Sequence, residues 1–101
     1  MILREWHATA EAARSNQYAD HFRNAVRPQL SRTEGFLGAT LASRQIGTQV
    51  EFVVTTRWQS TEAIRAFAGD DIERAVVEPP AAALLTTFDR EVRHYMVVES
   101  G

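Results

Sequence analysis

A histidine near the end of the chain has the side chain and the setting for proton transfer. His94 alternates with Val92 and Met96 along a predicted closing strand over residues 90–99, which places the three side chains on one apolar face. Histidine titrates near neutral pH, so an imidazole in a pocket can accept a proton from a bound substrate. The same position also suits a core histidine with a structural role. The sequence leaves His94 with two interpretations, a catalytic base or a core residue.

Aromatic side chains on three predicted elements could enclose an apolar ligand. Trp58 ends a run rich in β-branched and aromatic residues, and Trp6 lies in the first predicted strand. Tyr18 and Phe22 lie four residues apart on the apolar stripe of the first predicted helix and point toward the sheet. Large aromatic residues either pack in a core or line a ligand cavity. We expect Trp58, at the junction of a strand and a helix, to line such a cavity.

Arg44 is the cationic residue that could bind an anionic oxygen of a substrate. It lies at the end of the second predicted strand, on the face assigned to Phe36 and Thr40. A guanidinium is a good partner for an oxyanion because its charge and its N–H groups are fixed in one plane. A solvated arginine at a strand end is the alternative interpretation.

The composition excludes several kinds of site and partner. There is no cysteine, and all 11 basic residues are arginine, so thiol catalysis, disulfides and lysine Schiff bases are excluded. His7 and His21 are isolated from each other and from His94, so we expect no metal site. The formal charge is −2 with no basic patch, so nucleic acid is not expected as a partner. No membrane span and no signal peptide are visible, which predicts a cytoplasmic protein.

The order of predicted elements is β-α-β-β-α-β. The predicted strands cover residues 2–9, 36–45, 50–58 and 90–99, and the helices cover residues 12–31 and 61–68, with short helical turns at 72–77 and 81–85. Pro28 should kink or end the first helix. This order predicts an α+β, ferredoxin-like single domain over residues 1–101 with a four-stranded antiparallel sheet.

Helices cover only one face of such a sheet, so the other face needs a partner. We assign the apolar residues Leu37, Ala39 and Leu41 to that second face. The simplest way to bury them is to pair this face with the same face of a second copy of the chain across a two-fold axis. The sequence therefore predicts a homodimer.

Short motifs spread over nearly the whole chain resemble the antibiotic biosynthesis monooxygenase-like family. They are Glu34-Gly35-Phe36-Leu37-Gly38, Phe52-Val53-Val54, Trp58-Gln59-Ser60-Thr61-Glu62-Ala63, Phe67 and His94-Tyr95. The resemblance implies a dimeric α+β barrel. Its characterised members include monooxygenases that oxidise polycyclic phenols or quinols without metal or flavin, and haem-degrading enzymes.

The resemblance to the haem-degrading branch is incomplete. That branch combines an asparagine in the first strand, a tryptophan in the third strand and a haem-ligating histidine after the second helix. Trp58 matches the tryptophan, but the first strand has no asparagine and residues 72–78 contain no histidine. We therefore expect no haem and no other cofactor.

Two functional hypotheses follow from these residues and the resemblance. In the first, the protein is a cofactor-independent monooxygenase for a phenolic, quinol or polycyclic aromatic substrate, with His94 as base and Arg44 or Tyr18 at the phenolate oxygen. In the second, the dimer binds a small apolar or aromatic molecule without turnover. The expected substrate-binding residues are Trp6, Tyr18, Phe22, Arg44, Trp58 and Phe67.

Overall fold

An antiparallel sheet forms one layer of the structure, and helices cover one of its faces. The computed structural model describes all 101 residues. The strands are β1 (Ile2–Glu11), β2 (Phe36–Ile46), β3 (Gln49–Trp58), β4 (Thr87–Phe88) and β5 (Arg93–Met96). The helices are α1 (Ala12–His21), α2 (Arg27–Ser31), α3 (Thr61–Ala68) and α4 (Pro79–Ala82), with a π-helical turn, Phe22–Val26, between α1 and α2.

The strands lie in the order β2-β3-β1, and β4 and β5 share the position on the other side of β1. This is the predicted α+β, ferredoxin-like arrangement, with five strands instead of four. The last strand is divided because the residues between β4 and β5 leave β1. The Val92 N–H donates to the Glu73 carbonyl at 2.7 Å, and the Arg90 carbonyl accepts from the Ala75 N–H at 2.9 Å.

The helical turn predicted over residues 72–77 is wrong, because after a single turn at residues 72–73 the segment has no helix. Arg74 forms an isolated antiparallel bridge with Glu91. The carbonyls of Ile72 and Arg74 accept hydrogen bonds from the side chain of Arg4. These backbone groups therefore bond across the molecule and not along a helix. The next helical turn, α4, begins at Pro79, two residues before the turn predicted at 81–85, and overlaps it at Ala81 and Ala82.

The first helix continues past Pro28 to Ser31 because the turn before the proline is widened. Proline has no N–H and its ring crowds the carbonyl four residues earlier. The Arg27 N–H bonds to the Phe22 carbonyl, five residues back, which is the π-helical pattern. The helix therefore bends around the proline without ending there.

Alternating burial along β3 confirms the predicted inner face of the sheet. Its five even-numbered residues from Val50 to Trp58 are all buried. The Ser60 side chain then caps α3 by accepting from the Ala63 N–H at 3.2 Å, as predicted. Gly69, with a φ of 89°, ends the helix in a conformation that favours glycine. β3 and α3 are thus joined by a rigid, short connection next to Trp58.

The residues assigned to the uncovered face of the sheet do not lie there. Ala39 and Leu41 are paired with Thr56 and Val54 of β3, and they pack against the core beneath the helices. Leu37 is 53% exposed and lies where the register shifts between Phe36 and Gly38. This irregularity changes the alternation of faces along β2, so the assignment of Leu37, Ala39 and Leu41 to the free face is wrong.

Candidate functional site

A cavity lies between the inner face of the sheet and the helical layer. Its volume is about 70 Å³, and it opens to solvent. Of its 16 lining residues, 11 are hydrophobic, which makes it an apolar pocket with a few polar groups. The lining residues are Arg4, Trp6, Tyr18, His21, Phe22, Val26, Gln29, Leu30, Val54, Thr56, Phe67, Val76, Val77, Glu78, Ala81 and Val92.

Arg4 is the charged residue at the base of this cavity. It lies on the inner face of β1 and is only 5% exposed. One terminal nitrogen, Nη1, donates to the Ile72 carbonyl and to Nε2 of His94, and Nη2 donates to the Arg74 carbonyl at 2.9 Å. A guanidinium has five N–H donors, so one on Nε and one on Nη2 remain without a partner in the chain.

The positive charge of Arg4 has no carboxylate partner within the protein. The three ion pairs of the structure involve other residues, and the partners of Arg4 are two carbonyls and an imidazole. Burial lowers the pKa of Arg4 to about 10, so the group still carries its charge at neutral pH. Burying a charge without an opposite charge costs folding free energy, and arginines usually lie at the surface for this reason. The buried position of Arg4 is therefore unusual.

His94 contacts Arg4 and does not line the cavity. Its Nε2 lies 2.9 Å from Nη1 of Arg4, and a guanidinium can only donate, so Nε2 is the acceptor and the ring proton is on Nδ1. Desolvation and the charge of Arg4 lower the pKa of His94, while Glu73 opposes the shift. The lone pair that a base would use is therefore already occupied. His94 is therefore connected to the cavity through its hydrogen bond with Arg4.

Thr56 is the cross-strand neighbour of Arg4 and is also buried. Its Oγ1 accepts a hydrogen bond of 2.7 Å from the indole N–H of Trp58. Because an indole can only donate, the Thr56 hydroxyl keeps its own proton available for another acceptor. Trp58 itself is fully buried, packs against Phe36 and Phe67, and does not line the cavity.

Tyr18 and His21 bring two titratable groups to the opposite wall. They lie three residues apart on α1, with ring centroids 6.2 Å apart. Tyr18 is buried, and burial raises its pKa to about 12, so its phenol stays protonated. The one enclosed side-chain polar atom without a partner is Oε1 of Gln49, so the unbonded Tyr18 hydroxyl retains access to open space. His21 is half-buried and is the histidine that does line the cavity.

The seven predicted site residues fall into three groups. Four of them line the cavity, and these are Trp6, Tyr18, Phe22 and Phe67. Trp58 and His94 lie one layer behind the wall and act on it through Thr56 and Arg4. Arg44 lies on the opposite face of the sheet, 72% exposed in its side chain, and pairs with Glu51 at 2.7 Å. It does not reach the cavity.

Twelve of the 16 lining residues were not predicted as site residues, and they include the two basic side chains, Arg4 and His21. His21 follows Tyr18 by three residues and precedes Phe22, so its position on the same helix face was a usable signal. Arg4 shares the inner face of β1 with Trp6 and Ala8, but a charged residue in a strand gives no sign that it is buried. No group of three or more histidine, aspartate or glutamate residues is arranged to hold a metal ion. No helix is long and apolar enough to cross a membrane.

A family model for antibiotic biosynthesis monooxygenases matches residues 1–79 of the chain. The chain belongs to this family. The matched region contains every polar residue of the cavity, from Arg4 to Glu78, and ends before β5 and His94. No curated protein sequence matches the chain.

Solved structures of family members share the fold at low sequence identity. A monooxygenase from the ActVA-Orf6 gene of Streptomyces coelicolor, in complex with nanaomycin D, is 20% identical over 99% of this chain and 88% of its own, with a TM-score of 0.67. SnoaB, a cofactor-independent oxygenase from Streptomyces nogalater, is 19% identical over 98% of this chain and 94% of its own, with a TM-score of 0.64. The haem degrader MhuD from Mycobacterium tuberculosis, with two haems bound in its active site, is 21% identical over 100% of this chain and 99% of its own, with a TM-score of 0.65.

Proposed function

We propose that this chain is a cofactor-independent monooxygenase that oxidises a phenolic or quinol substrate in the cavity above Arg4. The observation that carries the proposal is the unpaired, buried guanidinium of Arg4 within an otherwise aromatic and aliphatic wall. A phenol bound there loses its proton more easily because the resulting anion meets a positive charge in a medium of low polarity. Two solved structures that share the fold are those of a cofactor-independent oxygenase and of a monooxygenase in complex with nanaomycin D.

The chain's residues supply binding, proton transfer and exclusion of water. His21 takes the phenolic proton, because it is the imidazole on the cavity wall and its ring is not engaged by an arginine. Tyr18, protonated up to high pH, donates a hydrogen bond to a substrate oxygen. Trp6, Phe22 and Phe67 hold the aromatic rings. In this proposal His94 orients Arg4 and is not the base.

The oxidation itself requires no group beyond the substrate anion and molecular oxygen. The anion transfers one electron to oxygen, the two radicals combine to form a carbon–oxygen bond, and the resulting hydroperoxide loses water to give a carbonyl. One oxygen atom enters the product and the other leaves as water, so a phenol with a free para position becomes a quinone. The protein contributes orientation and a dry site.

The size of the cavity limits how the substrate can lie. A volume of about 70 Å³ is small for a polycyclic molecule, so we place only the oxygen-bearing end of the substrate inside the cavity. The remaining rings would lie along Val76, Val77 and Glu78, which line the cavity and belong to the segment between α3 and α4. The substrate would then present its oxygen-bearing end to Arg4 and its apolar body to this segment.

Oxygen uptake tests this proposal. Protein purified in the presence of EDTA is mixed with a panel of naphthols and naphthalenediols in an oxygen electrode, and the rate is compared with that of the Arg4→Gln variant and with buffer. We expect catalysed uptake by the wild-type protein that falls at least tenfold in the variant. Uptake no faster than in buffer across the panel would contradict the proposal.

Binding without turnover is the second candidate function. It is favoured by the hydrogen bond from Arg4 to His94, which occupies the lone pair of the base predicted from the sequence. In that case a calorimetric titration would show saturable binding of a naphthol while the oxygen electrode shows no uptake. Haem degradation is not proposed, because residues 72–78 contribute Val76, Val77 and Glu78 to the cavity and no histidine.

We also propose that the protein is a homodimer in which the second copy covers the free face of the sheet. That face carries Leu3, Val53 and Ala42 among polar residues of all three long strands. No helix covers these side chains, and a partner sheet would remove them from water.

A further inference from the structure

Three side chains that line the cavity have hydrogen-bond donors that the chain leaves unused. Arg4 has two N–H groups without a partner, and the hydroxyl proton of Thr56 is free because Thr56 is the acceptor in its bond with Trp58. The Tyr18 hydroxyl has no partner in the chain and stays protonated. The one enclosed side-chain polar atom without a partner is Oε1 of Gln49, so these donors remain accessible to an acceptor-rich ligand in the cavity.

The chain does not provide that acceptor itself. Glu78 is the one carboxylate among the lining residues, but it is exposed and forms no ion pair with Arg4. Glu73 lies near His94 and not among the residues of the cavity wall. The charge of Arg4 is therefore left for a ligand to balance.

We infer that the natural ligand carries an ionised carboxylate, seated on the free N–H groups of Arg4 and the hydroxyl of Thr56, in addition to its aromatic rings. The inference rests on the proposed function for the chemistry that follows, but the binding step it describes does not require turnover. A carboxylate offers two oxygens in a plane, which matches N–H groups on adjacent nitrogens of one guanidinium. The substrate class is thus an aromatic hydroxy acid.

Two other anions fit the site less well. A simple phenol ionises near pH ~10, so at neutral pH it brings no charge to Arg4 before the reaction begins. A phosphate is a dianion of larger size, and phosphate sites usually combine several cations or a helix N-terminus, whereas this cavity has one arginine and an apolar wall. A planar monoanion is the match for a single buried guanidinium.

Calorimetry under argon tests the inference with the wild-type protein alone. The probes are 2-naphthoate and 2-naphthamide, which have the same rings and nearly the same shape but differ in charge. We expect 2-naphthoate to bind at least tenfold more tightly at neutral pH. Equal affinity of acid and amide, or no binding of either, would overturn the inference.

Variants of Arg4 then assign the preference to this residue. Arg4→Gln should bring the two affinities within about threefold of each other, and Arg4→Lys should retain part of the preference through its charge. Arg65→Gln, which removes an exposed arginine of α3 and the same formal charge, is the matched control and should keep the wild-type ratio. Because Arg4→Gln leaves the carbonyls of Ile72 and Arg74 without donors, its melting curve is recorded first. A preference that persists in a folded Arg4→Gln protein contradicts the assignment.

The outcomes separate this inference from the proposed function. Tight binding of 2-naphthoate without oxygen uptake on hydroxynaphthoates supports the carboxylate site and contradicts the oxygenase. Uptake with neutral naphthols as fast as with hydroxynaphthoates, together with equal binding of acid and amide, supports the oxygenase and contradicts the carboxylate site.

Discussion

Arg4 and His94 are paired across β1 and β5, with Nη1 of the arginine 2.9 Å from Nε2 of the imidazole. The direction of this hydrogen bond follows from chemistry, since a guanidinium has no acceptor atom. It fixes His94 as a neutral ring with its proton on Nδ1. The guanidinium is thereby held between the segment after α3 and the last strand, and His94 is connected to the cavity wall through the arginine.

His94 variants should separate positioning from proton transfer. His94→Gln retains an acceptor for Arg4 and should keep most of the affinity for 2-naphthoate, whereas His94→Ala should lower it several-fold. In the pH profile of kcat/KM, the limb that reports the base should persist in both proteins. In His21→Asn that limb should disappear. If this limb of the kcat/KM profile is lost in His94→Gln and retained in His21→Asn, then His94 is the base.

The lowered pKa of His94 predicts how stability depends on pH. The folded state binds the His94 proton less readily than the unfolded chain, so the unfolded state gains protons first as the pH falls below about 6.5. The free energy of unfolding should therefore decrease from about pH 6.5 down to the lowered pKa and then stop responding to this group. Urea denaturation at several pH values, compared with His94→Gln, measures the effect. An equal pH dependence in both proteins would show that His94 is not responsible.

The sequence was sufficient for the elements whose signals are local. Alternating apolar residues on β3, the Ser60 cap and the glycine after α3 each depend on neighbours within a few positions, and each was predicted. The site depended on contacts that no local pattern encodes. Arg4 is held by carbonyls 68 and 70 residues away, in the segment where a helical turn was predicted.

Two further differences also have physical causes. The register shift between Phe36 and Gly38 reassigns the faces of β2, which removed Ala39 and Leu41 from the free face and placed Arg44 on it. Trp58 was expected at a cavity because it ends a strand beside a helix. It is instead enclosed by Phe36 and Phe67, and it contacts the cavity wall through its packing on Phe67 and its hydrogen bond with Thr56.

Trp58→Phe should reduce stability more than binding. The smaller ring leaves a void and removes the donor to Thr56. Truncation of a core aromatic to alanine costs about 3–5 kcal/mol, and the phenylalanine variant should cost clearly less than that. We expect a lower melting temperature, with the affinity for 2-naphthoate within about threefold of wild type. An unchanged melting temperature with a large loss of affinity would place Trp58 in direct contact with the ligand.

A charge on the free face of the sheet should separate the proposed dimer. Val53 lies on that face in the middle of β3, next to His7 of β1. Val53→Glu should convert a dimer into a monomer in light scattering at micromolar concentration. Ala66→Glu, at an exposed position of α3, is the control and should remain dimeric. A wild-type protein that is already monomeric would contradict the proposal.

Oxygen labelling tests the proposed monooxygenase activity most directly. The protein, free of added cofactor, is supplied with a hydroxynaphthoate under labelled dioxygen, and the product is quenched early and analysed by mass spectrometry. The account predicts one labelled oxygen atom in each product molecule, formed by wild-type protein and at least tenfold more slowly by Arg4→Gln. Product without label, or labelled product formed equally well by a folded Arg4→Gln protein, would contradict it.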